Sequence, residues 1–239
     1  MELTTVIPMA GYGTRMAGAY SEPKPFVKIG DLTLLEIAFL GLPESDRVIF
    51  VTRDELAAQT ASLLVNSKVF RDVNYQVVNL KEGTPGQAAT VMLGLEDVAM
   101  DAPILVSNCD TYFSGDFEVQ EGYDGVLGTF ESSSPYYSYV RLEGGVAVET
   151  AEKKVISDRA SAGLYYFASK QLYVDAYEKI KDLPGEQYIA PMYNSMIADG
   201  LRVGESRMKT VIPLGTPEEI DYAVNDLGLL ELLESRATT

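Results

Sequence analysis

The run over residues 3–9 is short, apolar and rich in β-branched side chains, and it stops at Ala10-Gly11-Tyr12-Gly13. A run of that length bounded by glycines reads as a strand buried on both faces. Such strands belong to parallel sheets, whose helical crossovers cover both faces. The following segments keep the same alternation. Residues 32–40 have helical spacing, 47–52 read as a second buried strand, and Asp54-Glu55 opens a helix to about residue 65. Residues 74–79 form a third strand, a Gly/Pro turn at 82–86 feeds a helix to about residue 95, and 103–107 form a fourth strand. This alternation predicts an α/β fold: a Rossmann-like, mostly parallel mixed sheet flanked by helices.

Beyond residue 115 the pattern changes. Residues 125–130, 139–142, 145–151 and 162–167 are strand-like with little helix between them, which predicts a small antiparallel extension on the sheet edge. Residues 132–137 between two of these strands read as an ordinary hairpin connection rather than a lid. Helices are expected over 169–181 and up to about residue 199, strands over 202–206 and 209–214, and one terminal helix running through Leu227, Leu230 and Leu233, with Thr216 as N-cap and Pro217 at its first position. A chain of 239 residues suffices for one domain, with residues 1–115 as a nucleotide-binding half and 116–239 as an acceptor-binding half.

Strand followed by glycine loop is a phosphate-binding arrangement, because small residues let consecutive backbone N–H groups approach phosphate oxygens. Thr14 adds a hydroxyl, Arg15 a planar two-pronged cation, and Lys24 a compact one held between Pro23 and Pro25 on a stiff, non-helical segment; Lys28 follows close behind. The plainer reading is a tight turn with scattered surface cations. The dinucleotide fingerprint is absent, since Gly13 is followed by Thr14-Arg15-Met16, and so is the Gly-Lys-Ser/Thr of a Walker loop.

The chain has no histidine and one cysteine, Cys109. These counts exclude a histidine base, a Ser-His or Cys-His nucleophile, an internal disulfide and any multi-cysteine metal site. Cys109 reads as a small buried hydrophobe. A formal net charge of −16 argues against a nucleic-acid partner. No segment approaches the roughly 18 apolar residues of a membrane span, and a cytoplasmic location is the expectation. Asp110 lies at the end of the fourth strand, where an α/β enzyme places a ligand for Mg²⁺, an ion that takes one or two carboxylates and completes its shell with water and phosphate. Gln87 offers an amide able to pair with a nucleotide base edge.

Gly11-x-Gly13-Thr14-Arg15-Met16 followed by Pro23-Lys24-Pro25 resembles the signature loop of the nucleotidyltransferases that join an NTP to a sugar 1-phosphate or a similar phosphorylated small molecule. Further blocks agree in order. They are the turn carrying Gly86 and Gln87, Asn108 to Tyr112, Glu152-Lys153 followed by Gly163-Leu164-Tyr165-Tyr166-Phe167, and Gly215-Thr216-Pro217-Glu218. The resemblance implies that Ala10, Gly11, Gly86 and Gln87 frame the base, that Gly13, Thr14 and Arg15 hold the outer phosphates, and that Lys24 reaches the α-phosphate. It further implies that Asp110 anchors Mg²⁺, and that Lys153, with Gly163 and Glu186, meets the acceptor. Arg15, Lys24 and Lys153 are the implied catalytic cations. Two departures stand out. Lys154 replaces the common proline after the Glu-Lys pair, and Pro213 occupies the place of a second metal aspartate. The chain is most similar in flavour to a short branch linked to cell-surface polysaccharide assembly, which includes cytidylyltransferases acting on non-sugar groups. A glycosyltransferase of similar architecture and a non-catalytic nucleotide sensor remain alternatives, and the base, the acceptor and the oligomeric state stay open.

Overall fold

The computed structural model describes residues 2–237. In chain order, β1 (Thr4–Pro8) leads through 3-10 turns at Thr14–Met16 and Lys24–Phe26 to β2 (Lys28–Ile29) and β3 (Leu32–Thr33), then to α1 (Leu34–Leu40) and β4 (Arg47–Arg53). Next come α2 (Ala57–Asn66), β5 (Tyr75–Leu80), α3 (Gln87–Gly94), β6 (Ile104–Ser107), β7 (Thr111–Ser114), β8 (Gly125–Glu131), β9 (Tyr139–Glu143), β10 (Val146–Ala151) and β11 (Arg159–Phe167). The chain closes with α4 (Lys170–Glu178), α5 (Met192–Ala198), β12 (Val203–Arg207), β13 (Thr210–Pro213), α6 (Pro217–Asn225) and α7 (Leu229–Ala237).

The parallel strands β6, β1, β4 and β5 form one side of a mixed sheet with the order β10-β9-β11-β6-β1-β4-β5, β5 being its edge, and β8 and β12 continue from the far edge of β11. Alternation along β1 and β4 sorts their side chains onto two faces. Val6, Ile49 and Val51 pack with Ala88 and Val91 of α3, with Leu95 just after it, and with residues of α4 and α5. Ile7, Val48 and Phe50 pack with Leu35, Leu56, Leu64 and Phe70 on the other face. A helical layer on each face is what the buried β1 run required.

The antiparallel strands are continuous with this sheet. β11 runs antiparallel to β6 through Leu164–Phe167 and touches β9 through Ala160, while its opposite edge carries β8. Strands β6 and β9 therefore share one edge of β11 and diverge around residues 161–164, where the register with β8 shifts and Gly163 takes φ +79°. The main cavity opens at this fork.

Several expectations shift. Leu32 and Thr33 pair with β2, and Thr33 starts α1 through a capping box with Glu36, so that helix begins two residues later. Lys24 sits in a single 3-10 turn. Residues 132–137 do not close a hairpin, because β8 and β9 each pair with β11 and not with one another. The terminal helix is two helices, broken where Gly228 adopts φ +62°, a left-handed conformation that favours glycine. Strand β7 had no prediction and pairs antiparallel with β13.

Candidate active site

Gly13 has φ +62° and launches the 3-10 turn of Thr14–Met16. Met16 is buried among Val27, Leu34 and Ile220, and pins the turn so that Thr14 and Arg15 stay exposed at the cavity mouth. Arg15 makes no hydrogen bond or ion pair to any described residue. A Cβ on Gly13 would lie 3.0 Å from Lys24 Cβ, so the glycine also lets the loop close onto Lys24. Buried Pro25 and Phe26 fix the turn from which Lys24 projects. The Lys24 ammonium is ion-paired with Asp110 and donates to the Gly215 carbonyl at 3.2 Å. The two side chains of the pair are only 12% and 16% exposed.

Asp110 follows β6, and its backbone carbonyl accepts from Leu214 N at 2.8 Å, tying the fourth strand's exit to the turn before α6. In that turn Thr216 caps α6 by accepting from Glu219 N at 3.2 Å. The Glu219 carboxylate reaches back to Gly215 N at 2.8 Å and accepts from the Tyr137 hydroxyl at 3.1 Å. Burial, then the Glu219 charge, push the Tyr137 hydroxyl well above its ordinary value. Cys109 packs beside the β1 and β4 core but is only half-buried and borders the cavity, so it is not the fully buried residue expected; its thiol is pushed up to about 12 by burial and by Asp110, which keeps it protonated.

The second loop carries Gly86 and Gln87. A Cβ on Gly86 would lie 2.5 Å from Gln187 N, because the backbone of Gln187 runs against it, donating to Pro85 O at 3.1 Å and accepting from Ala88 N at 2.9 Å. Gln87 Nε2 donates to Asn108 Oδ1 at 2.5 Å, and Asn108 N donates to Gly163 O at 3.0 Å. Asn108 packs so closely on Gly163 that no side chain fits there.

Elsewhere on the cavity wall, Lys153 is the only non-glycine with positive φ among the described residues, at +52°. In a strand, Glu152 and Lys153 would point to opposite faces; this left-handed turn brings both to the cavity wall. Lys153 Nζ donates to the Tyr188 hydroxyl at 2.5 Å and lies 4.5 Å from that ring's centroid, and Tyr188 in turn donates to Glu186. The hydrogen bond to Tyr188 raises the Lys153 pKa, which keeps it charged. Burial raises the Glu152 pKa, opposed by a hydrogen bond from Ser138 and by the Lys153 charge.

These groups line one cavity of about 770 Å³. Ala10, Gly11, Gly13, Thr14, Arg15, Lys24, Gly86, Gln87, Asp110, Lys153, Gly163 and Glu186 all border it. Lys28 does not; it sits exposed on β2. Tyr137, Tyr188, Asn108 and Glu219 also border the cavity, and sequence reasoning assigned them no role. For Glu219 the usable signal was its place three residues after the Thr216 cap; the aromatic and amide contacts bridge distant segments and left none. Among the described residues no group of three or more carboxylate or cysteine side chains is placed to hold a metal. The donor set nevertheless fits a hard divalent ion that keeps much of its shell as water and phosphate: Asp110 supplies a carboxylate, and the Lys24 ammonium stands beside it where a cation belongs.

Residues 5–118 match the model of the MobA-like NTP transferase domain. No curated protein matches the chain by sequence. Among solved structures, the nucleoside-diphosphate-sugar pyrophosphorylase from Vibrio cholerae RC9 is 30% identical, with a TM-score of 0.79 over 91% of this chain and 98% of that one. The inositol-1-phosphate CTP transferase from T. maritima is 16% identical, with a TM-score of 0.73 over 92% and 91%. A UDP-glucose pyrophosphorylase complexed with UDP-glucose is 18% identical, with a TM-score of 0.75 over 94% and 98%; at such identities these last two speak to fold alone. Full-length similarity to the Vibrio protein, together with a glycine loop, a strand-end aspartate and a Glu-Lys pair around one cavity, places this chain in the sugar-1-phosphate nucleotidylyltransferase family, and makes it a nucleotidyltransferase.

Proposed function

We propose that the protein catalyses Mg²⁺-dependent transfer of a nucleotidyl group from an NTP to a sugar 1-phosphate or a related phosphorylated small molecule, releasing pyrophosphate. The observation that carries the reading is the single cavity on which the glycine loop, the Gly86-Gln87 turn, Asp110 and Lys153 converge. An acceptor phosphate oxygen forms a bond to the α-phosphorus, and the bond from that phosphorus to the β-phosphate bridging oxygen breaks. The attacking oxygen is already anionic at neutral pH, so the step needs no general base, in keeping with a chain that has no histidine.

The protein's part is then positioning and charge compensation. Ala10, Gly11, Gly86 and Gln87 frame the base. Gly13, Thr14 and the unpaired Arg15 bind the β- and γ-phosphates, Lys24 turns from Asp110 toward the α-phosphate, and Lys153 orients the acceptor phosphate. Gly163 borders the acceptor space and seats the Asn108 side chain in the cavity wall, and Glu186 accepts from the acceptor's hydroxyls. Arg15, Lys24 and Lys153 share the cavity with Asp110, Glu152, Glu186 and Glu219, so three cations face four carboxylates before any substrate phosphate arrives. Asp110 would hold a divalent cation, whose charge would offset that of the departing pyrophosphate. A destination in cell-surface polysaccharide assembly rests on the resemblance of residues 152–167 alone.

The test is a pyrophosphate-release assay with Mg²⁺ that crosses CTP, UTP, GTP, ATP and dTTP against sugar 1-phosphates, inositol 1-phosphate and phosphocholine. Release in one combination establishes the reaction and names both substrates. An NTP that raises the melting temperature without release in any combination overturns transfer in favour of nucleotide sensing.

A further inference from the structure

The space left by the missing side chain of Gly215 is ringed by charge. A Cβ there would lie 3.1 Å from Glu219 Oε2, 3.2 Å from Asp110 Oδ2 and 3.5 Å from Lys24 Nζ. Two carboxylates from distant parts of the chain thus point at one spot, and the cation beside them is a lysine that the proposed reaction requires elsewhere. Pro213, two residues upstream, also borders the cavity and has no donor to offer.

We infer that Glu219 is the second carboxylate of the divalent-cation site, facing Asp110 across Gly215; the inference rests on the Mg²⁺-dependent reading above. Helix capping alone would account for its bond to Gly215 N, but that bond and the one from Tyr137 each occupy a single lone-pair site on the two oxygens. A carboxylate has about four such sites, so both oxygens keep capacity for a metal or its water. The cap and the Tyr137 hydroxyl hold the carboxylate in place, which lowers the cost of ordering it when the ion arrives. Gly215 belongs to the design, since any side chain there would fill the place between the two carboxylates.

The experiment compares wild type, Asp110→Asn, Glu219→Gln and Glu218→Gln, the last on the exposed neighbouring carboxylate outside the cavity. Glutamine at 219 keeps the volume and one acceptor oxygen for Gly215 N, removes the charge, and presents an amide NH₂ from which the Tyr137 hydroxyl can accept in place of donating. Mn²⁺ binding is followed by electron paramagnetic resonance with metal alone. The EDTA-reversible rise in melting temperature from MgCl₂ is then read with whichever of the five NTPs stabilises wild type most, without acceptor. Glu219→Gln is expected to weaken Mn²⁺ about tenfold or more and to lose the Mg²⁺-dependent shift, with its metal-free melting temperature preserved and Glu218→Gln unchanged. Affinity within about twofold of wild type, when Asp110→Asn loses it, overturns the Glu219 assignment and leaves Asp110 standing. A Glu219→Gln protein that melts early without metal yet binds Mn²⁺ normally shows a cap only, and also overturns it. Wild type binding no more Mn²⁺ than Asp110→Asn, with no Mg²⁺ shift, overturns the metal reading itself.

Discussion

Arg15 and Lys24 stand nine residues apart and do different work in the ligand-free protein. Arg15 waits unpaired at the cavity mouth, whereas Lys24 is withdrawn from solvent against Asp110 and Gly215. Each is expected to oppose charge in the transition state, so Arg15→Ala and Lys24→Ala should each lower kcat/KM by about 10²–10³. The two variants should separate in stability. Arg15→Ala keeps the wild-type melting temperature, while Lys24→Ala shifts it by leaving Asp110 unpaired in a largely buried place. Steady-state kinetics and thermal melts on the same preparations check both, and a loss under threefold in both variants would remove the assigned roles. That these two cations would share one cavity was legible in the sequence because they follow one glycine loop at a strand end. Glu219 and Tyr137 were not, because their meeting depends on a turn and a loop 82 residues apart closing on each other.

At the scale of elements, the strands at the centre of the sheet were readable because burial on both faces leaves a near-continuous apolar run. The elements that escaped are short ones set by partners far away: β7 is held by β13, and the pair β2 and β3 spans two residues on each side. The break between α6 and α7 escaped because the leucine spacing continues across Gly228 and masks the backbone reversal there. Packing between elements offers its own test. Helix α3 lies on the sheet through Gly94, where a Cβ would come 2.5 Å from Val51 Cγ2 and 3.4 Å from Val6 Cγ1. Gly94→Ala should therefore cost about 1–3 kcal/mol by overpacking, outweighing the helix propensity gained at the last residue of α3. In a domain of this size that is a fall in Tm of about 2–12 °C, read by calorimetry. A higher Tm would mean that the helix can lift from the sheet without penalty.

The whole molecule carries a net charge of −16, while Arg15, Lys24 and Lys153 are gathered on one cavity. Self-repulsion of such a charge weakens the folded state, and salt shortens its range from about 30 Å at 0.01 M to about 8 Å at 0.15 M. The melting temperature should therefore rise between these two NaCl concentrations; a fall would show that attractive surface pairs, not net repulsion, dominate. Gly86 and Gln187 show how two walls of the cavity are joined. Because the backbone of Gln187 fills the place of a side chain at Gly86 and bonds to Pro85 and Ala88, the Gly86-Gln87 turn and the segment bearing Glu186 and Tyr188 are one stitched piece of chain. On the proposed assignment, base and acceptor preferences are not interchangeable modules: a chimera cut near residue 115 would separate the two sides of that seam, and a relative's C-terminal segment grafted on would have to bring its own match for Gly86.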